Sequence, residues 1–232
     1  MTTGGASAKL EGIKWTPSFL RAWWAKNERV GLASDPFLFL AEVSMGVTAV
    51  FIDGAYLEKI LLHDHGKARI DFGGLVDVMV EGDELLRAYY YHCLPYQSNP
   101  PTDEEKARYA ARHGFLTALR HIPRFEVRLG KLAFRGMTAD GKPVFQQKRV
   151  DLMLGVDMAL LAGKNRIAKM GLLSGDSDFA PAVEAVKREG VLTTVWHGSH
   201  SGRARPSREL LQIADERREL TAEIIQSASL HP

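Results

Sequence analysis

Leu172-Leu173-Ser174-Gly175-Asp176-Ser177-Asp178-Phe179 is the stretch on which the fold turns. Met170, Leu172 and Leu173 make a short apolar run broken by Gly175, the signature of a buried strand entering a turn. Phe179, Val183 and Val186 then recur at i, i+4 and i+7, Ser177 or Asp178 can cap the helix they imply, and Gly190 stands where a terminating glycine belongs. Two carboxylates therefore leave the carboxyl end of a strand, the edge at which open α/β sheets bind ligands. Alone, a Ser-x-Asp of this kind would be only a cap and a turn. Further acids elsewhere in the chain give it more meaning.

The 232 residues, 45% hydrophobic and 25% charged, suffice for one sizeable core with an appendage. A formal charge of +2 is too mild to announce a nucleic-acid binder, yet it does not oppose a polyanionic substrate. The single cysteine, Cys93, excludes an internal disulfide framework and a cysteine-rich zinc site, and makes a reducing, cytoplasmic setting the default. No stretch approaches the ~20 apolar residues of a membrane span, so no membrane partner is expected.

Working outward, residues 47–52 (VTAVFI) form a β-branched run that ends on Asp53-Gly54 and passes into a helical stretch, AYLEKILL. This is a second strand that terminates on an aspartate. His63-Asp64-His65 resembles a metal pair, but consecutive residues in a helix-end loop are usually solvated. A short helix is expected over 71–80, a tyrosine-rich strand over 85–93 with Tyr89 and Tyr91 on one face and Tyr90 on the other, and a helix over 104–121. A strand over 125–134 and a turn at 139–142 then lead into Val144 and Phe145. Residues 148–163 (KRVDLMLGVDMALLAG) are apolar almost all round and read as a buried helix. Another strand follows at 191–196, then a Gly/Ser-rich loop carrying Arg203 and Arg205, and a last helix from Ser207 that fades into a polar tail. The order divides the chain into an N-terminal extension (1–45) whose Trp15, Phe19 and Trp23 share a helical face, a main domain (46–215), and a helix end and tail (216–232). The aromatic face suits docking on the core; the other reading is a homodimer or partner surface. Strands alternating with helices predict an α/β fold, a mostly parallel central sheet with helices on both faces.

Four acids stand out: Asp53, Asp151, Asp176 and Asp178. A carboxylate inside an apolar helix must be paired, hydrogen-bonded or metal-bound, which singles out Asp151 and Asp157. Six residues at about 100° each set these two roughly 120° apart around the axis, so one ion cannot take both; Asp157 is then an outer partner or a structural acid. Acid ligands without His or Cys favour a hard cation, Mg²⁺ or Mn²⁺. Such sites hydrolyse phosphodiesters.

The motifs FIDGAYL (51–57), KRVDLMLGVDM (148–158), LLSGDSDF (172–179) and SRELLQIAD (207–215) resemble those of NYN-domain proteins, the LabA-type branch of the PIN-like nucleases, in the same order. The resemblance implies a PIN-like sheet and a metal-dependent ribonuclease. Its ligands would be Asp53, Asp151, Asp176 and Asp178, with Asp157 as a further candidate. Single-stranded RNA is the expected partner, gripped by Lys148, Arg149, Arg203, Arg205 and Arg208, with Ser174 and Ser177 orienting ligands. The family often carries Asn three residues after the first Asp; here the position is Tyr56, a departure from the pattern at a substrate-side position. A rival reading keeps the fold and the metal site in a non-catalytic nucleic-acid- or protein-binding module. A dinucleotide-binding domain fits less well, because FIDGAYL holds one glycine rather than a Gly-rich phosphate loop.

Overall fold

The computed structural model describes residues 46–228 apart from Ala139 and Lys142. The aromatic face expected in residues 1–45 lies outside them. All described strands but one join a parallel sheet, and the reason is visible in the first. Strand β1 (Val47–Asp53) buries consecutive residues, not alternate ones, which requires cover on both faces. Val50 and Ile52 face one apolar cluster, while Ala49 and Phe51 face a second.

Helices α1 (Gly54–His63) and α2 (Phe72–Val80) follow, then β2 (Glu84–Cys93), α3 (Asp103–Arg120), and the hairpin of β3 (Phe125–Met137) and β4 (Pro143–Lys148). Helix α4 (Val150–Gly163) leads to β5 (Lys169–Leu173), a single 3-10 turn (Ser177–Phe179), α5 (Ala180–Arg188), β6 (Leu192–His197), α6 (Arg208–Ile213), β7 (Glu216–Glu219) and α7 (Ala222–Ser227). The sheet order is β4-β3-β2-β1-β5-β6-β7, with only β3 and β4 antiparallel. Residues of α1, α2, α3 and α7 fill the first cluster, and those of α4, α5 and α6 fill the second. The expected α/β architecture is therefore present, tyrosines included: Tyr90 packs in one cluster, Tyr89 and Tyr91 in the other.

The structure departs from the sequence reading in three places. Helix α4 is not buried all round. Val150, Leu154, Met158 and Ala162 form its covered stripe, whereas Leu152 is 71%, Val156 46% and Leu160 50% exposed. The segment after 215 is not a fading tail, because Glu216–Glu219 pairs in parallel with β6 and α7 follows it. Finally, the cap after β5 is Asp176, whose carboxylate accepts from the Asp178 N–H at 3.1 Å; neither Ser177 nor Asp178 caps α5.

From β1 the chain steps through β2 to β3 on one side, and after the hairpin it returns to β5, β6 and β7 on the other. The carboxyl ends of β1 and β5 thus flank the switch point of the sheet. Ile52 pairs with Leu173, so the residues that follow each strand emerge level with one another.

Gly54 sits at that edge because nothing larger fits: a Cβ there would lie 2.4 Å from Tyr90 Cζ and 2.7 Å from His92 Cδ2. Helix propensity alone favours alanine over glycine by about 1 kcal/mol. Tyr90 is fully buried and stacks on His92, so it has no room to retreat. Gly54→Ala should therefore destabilise the fold by about 1–3 kcal/mol, read as a lower urea midpoint at unchanged slope.

Candidate metal and nucleic-acid site

Asp53 closes β1 and caps α1. Its Oδ1 accepts from the Ala55 and Tyr56 N–H groups at 3.0 and 3.1 Å, and its Oδ2 has no partner among the described residues. Asp176 is built the same way after β5, with Oδ1 on the Asp178 N–H and its own N–H donated to the buried Ser174 Oγ at 3.3 Å. Ser174 thereby acts on the turn. The Asp178 carboxylate and Asp151, in the first turn of α4, carry no hydrogen bond or ion pair among the described residues. Both are exposed, so the burial expected for Asp151 from its apolar helix is not found.

These carboxylates act on one another. The pKa of Asp53 is raised, first by burial and then by the charge of Asp151, against the lowering effect of its two backbone hydrogen bonds and of His92. That of Asp151 is raised as well, first by loss of water around its carboxyl and then by the charges of Asp176 and Asp178. Asp151 thus lies within electrostatic reach of both Asp53 and the Asp176/Asp178 corner. No three of the four bring their oxygens within 4.8 Å of one another, so the cluster is open. Oxygen-only donors, several without partners and under mutual repulsion, suit a hard divalent cation.

Asp157 has another role. Its Oδ2 accepts from the Tyr91 hydroxyl at 2.8 Å and lies 3.5 Å from Arg128 Nε, which fastens α4 to β2 and β3. As the helical angle requires, it points away from Asp151.

Tyr56 is also structural. Its hydroxyl donates to the Ala204 carbonyl at 2.8 Å and accepts from the Gly198 N–H at 3.1 Å, and its ring packs on Gly175, where a Cβ would come within 2.5 Å. Burial pushes its pKa up to about 12, so the hydroxyl keeps its proton. It therefore offers no contact to water or metal, and instead holds the 198–204 loop against the turn after β5.

The five cations singled out in the sequence, Lys148, Arg149, Arg203, Arg205 and Arg208, are all exposed and unpaired among the described residues. Lys148 and Arg149 immediately precede α4, and Arg149 takes φ +75° to turn the chain into it. Arg208 opens α6 next to Ser207, whose N–H donates to the Gly175 carbonyl at 2.8 Å. Ser177 is partly exposed at the start of the 3-10 turn.

Sequence reasoning missed a group behind Asp53. Glu58 receives Arg112 through both guanidinium nitrogens and lies 3.3 Å from His92 Nε2. Burial would raise the Glu58 pKa, but the adjacent His92 imidazole and the Arg112 guanidinium outweigh it and hold the carboxyl at about 2. Its contribution to stability is present above the ordinary glutamate range and is lost as pH falls toward 2; Asp53 and Asp151 have the opposite sign.

An open α/β sheet with a row of carboxylates at its switch point is a nuclease-like architecture. The chain belongs to the NYN domain family, within the PIN-like superfamily: that family matches residues 47–220. A crystal structure of a protein of unknown function from Vibrio parahaemolyticus is similar, with a TM-score of 0.54 at 18% identity over 82% of this chain and 99% of the other, which speaks for the fold alone. No curated protein matches significantly. Among the described residues no helix is long and apolar enough to cross a membrane.

Asp53 and Asp151 take up protons more readily folded than unfolded, so the burial of their charged forms, and after it their repulsion, destabilises the native state above their raised pKa values and fades as pH falls through them toward the ordinary aspartate range. Asp151→Asn should accordingly raise the melting midpoint by about 1–3 °C at pH 7.5 without divalent cation. Excess Mg²⁺ should narrow or reverse that advantage. A lower midpoint in the variant without cation would remove the repulsion.

Proposed function

We propose that this chain is a divalent-metal-dependent ribonuclease acting on single-stranded RNA. The observation that carries the reading is that Asp53 and Asp176 follow the level carboxyl ends of neighbouring strands β1 and β5, with Asp151 near enough to feel Asp176 and Asp178 and to contribute by its charge to the raised pKa of Asp53. Asp53 through Oδ2, Asp151, Asp176 and Asp178 would hold Mg²⁺ or Mn²⁺; Asp157, bound to Tyr91 and Arg128, is left out of that set. A bound ion supplies positive charge against the phosphate and lowers the pKa of water. The overall reaction adds water across a phosphodiester, so that one product keeps the phosphate and the other leaves as an alcohol.

The chain's own residues do the positioning. The Asp178 N–H fixes the Asp176 carboxylate while Ser174 Oγ holds the Asp176 backbone N–H, and the Ala55 and Tyr56 N–H groups fix the carboxylate of Asp53. Lys148, Arg149, Arg203, Arg205 and Arg208 meet the sugar-phosphate backbone, which sets register without reading bases. Membership of the NYN family supports the nuclease class. The saturated hydroxyl of Tyr56 favours a second reading, a binding module that retains the fold and cleaves nothing.

Asparagine retains the amide oxygen that caps a helix, so Asp176→Asn tests charge with the turn preserved. Labelled single-stranded RNA with Mn²⁺ should be cut by the native chain, and the variant should lose about 100-fold or more in rate while still binding RNA. RNA bound by both proteins and cut by neither would establish the module instead.

A further inference from the structure

One strand away from the acid cluster, the carboxyl ends of β6 and β7 bring together a different donor set. A ring nitrogen from each of His197 and His200 and a carboxylate oxygen of Glu219 all lie within 4.8 Å of one another, and this is the sole such group of three or more His, Cys, Asp or Glu among the described residues. His197 ends β6 and is paired in register with Glu219, which ends β7; the two imidazole centroids are 4.9 Å apart. We infer that His197, His200 and Glu219 form a binding site for a borderline transition-metal ion of the Zn²⁺ class, separate from the oxygen-only cluster and independent of the nuclease reading.

The donors are in the right chemical state. His197 Nδ1 lies 2.8 Å from the Gly198 carbonyl, which can only accept, so Nδ1 carries the proton and Nε2 keeps a lone pair. A backbone carbonyl on the second nitrogen is the usual device that orients a metal-binding imidazole. The side chains of His200 and Glu219 have no hydrogen bond or ion pair among the described residues. Donors about 2.1 Å from a tetrahedral zinc stand about 3.4 Å apart, so modest rotation of two side chains not locked by hydrogen bonds closes the set. Two imidazoles and one carboxylate leave a coordination position for water, and nitrogen donors select against Mg²⁺.

The surroundings are braced. Asp64 Oδ2 accepts from the Ser199 N–H at 3.2 Å, His65 Nε2 lies 3.0 Å from the Leu220 carbonyl, and the Leu220 N–H donates to the His197 carbonyl at 2.8 Å. Thus Asp64 and His65, which looked like ligands in the sequence, support the backbone on which the ligands sit. Gly202 leaves room for Asp64, whose Oδ1 would lie 2.3 Å from a Cβ there. An ion at this point ties the 198–200 segment to β7, and so restrains the loop that carries Arg203 and Arg205.

The test uses the full chain stripped with chelator, then titrated with Zn²⁺ against a chromophoric competitor in millimolar Mg²⁺. One equivalent should bind. His200→Ala and Glu219→Gln should each weaken it by more than the ~10–100-fold typical of losing an outer partner, and Asp151→Asn should leave it unchanged. Zn²⁺ should also slow tryptic cleavage of the Arg203-Ala204 bond in the native chain and not in His200→Ala, a readout that needs no RNA. Absence of stoichiometric binding, native affinity in both ligand variants, or loss of binding in Asp151→Asn would each overturn the assignment; the last would place the ion in the acid cluster.

Discussion

The site depends on a division of labour within two carboxylates. At the ends of β1 and β5 the chain must turn, and the N–H groups of the next turn need acceptors. Asp53 and Asp176 supply them with one oxygen each, an interaction worth about 0.5–2 kcal/mol at a cap. That geometry fixes each side chain through one oxygen and leaves the second without a partner among the described residues. Because β1 and β5 are neighbours at the reversal of strand order, the two carboxylates share an edge of the sheet, and Asp151, in the first turn of α4, is close enough for its charge to be felt there. The acids that shape the turns are thus the ones available for chemistry, and their repulsion is the electrostatic cost of that economy.

Most of this architecture was legible because it is written in local terms. The β-branched run before Asp53, the apolar run before Gly175, and the stripe of Phe179, Val183 and Val186 all declare their elements by period alone. The hidden parts lack such a period. Strand β7 is Glu-Arg-Arg-Glu, an edge strand recruited by backbone pairing to β6, by the Thr194 hydroxyl on Glu216 and by the Arg218 contact to Glu81, so its charges read as tail. The apolar residues on the open side of α4 are chemically the same as those on its covered side, and composition cannot sort them. Without β7, Glu219 had no place beside His197 and His200. The Glu58, His92 and Arg112 group joins positions far apart in the chain, and no spacing rule connects them.

Tyr56 shows how a departure from a family pattern acquires a physical meaning. In sequence it is a missing amide. In the fold its ring fills the space that Gly175 leaves, and its hydroxyl joins the Gly198 N–H to the Ala204 carbonyl. A proton retained to about pH 12 makes that donor permanent under physiological conditions. Tyrosine here couples two loops, the one bearing Asp176 and Asp178 and the one bearing Arg203 and Arg205. One buried ring therefore sets the acidic loop and the basic loop relative to each other.

Two carboxylates on neighbouring turns of the chain complete the contrast. Glu58 and Asp53 are both drawn partly out of water, and burial pushes both toward the neutral form. Glu58 finds Arg112 and His92 and stays ionised far below neutrality, which makes it a clamp between α1, β2 and α3. Asp53 has backbone N–H groups on one oxygen and His92 nearby, and it also meets the charge of Asp151. Charge and burial do not separate a structural acid from a functional one; the availability of a compensating partner does. At Glu58 the protein supplies that partner from its own sequence. At Asp53 the lowering contributions, two backbone N–H groups and the nearby His92, do not outweigh burial and the charge of Asp151.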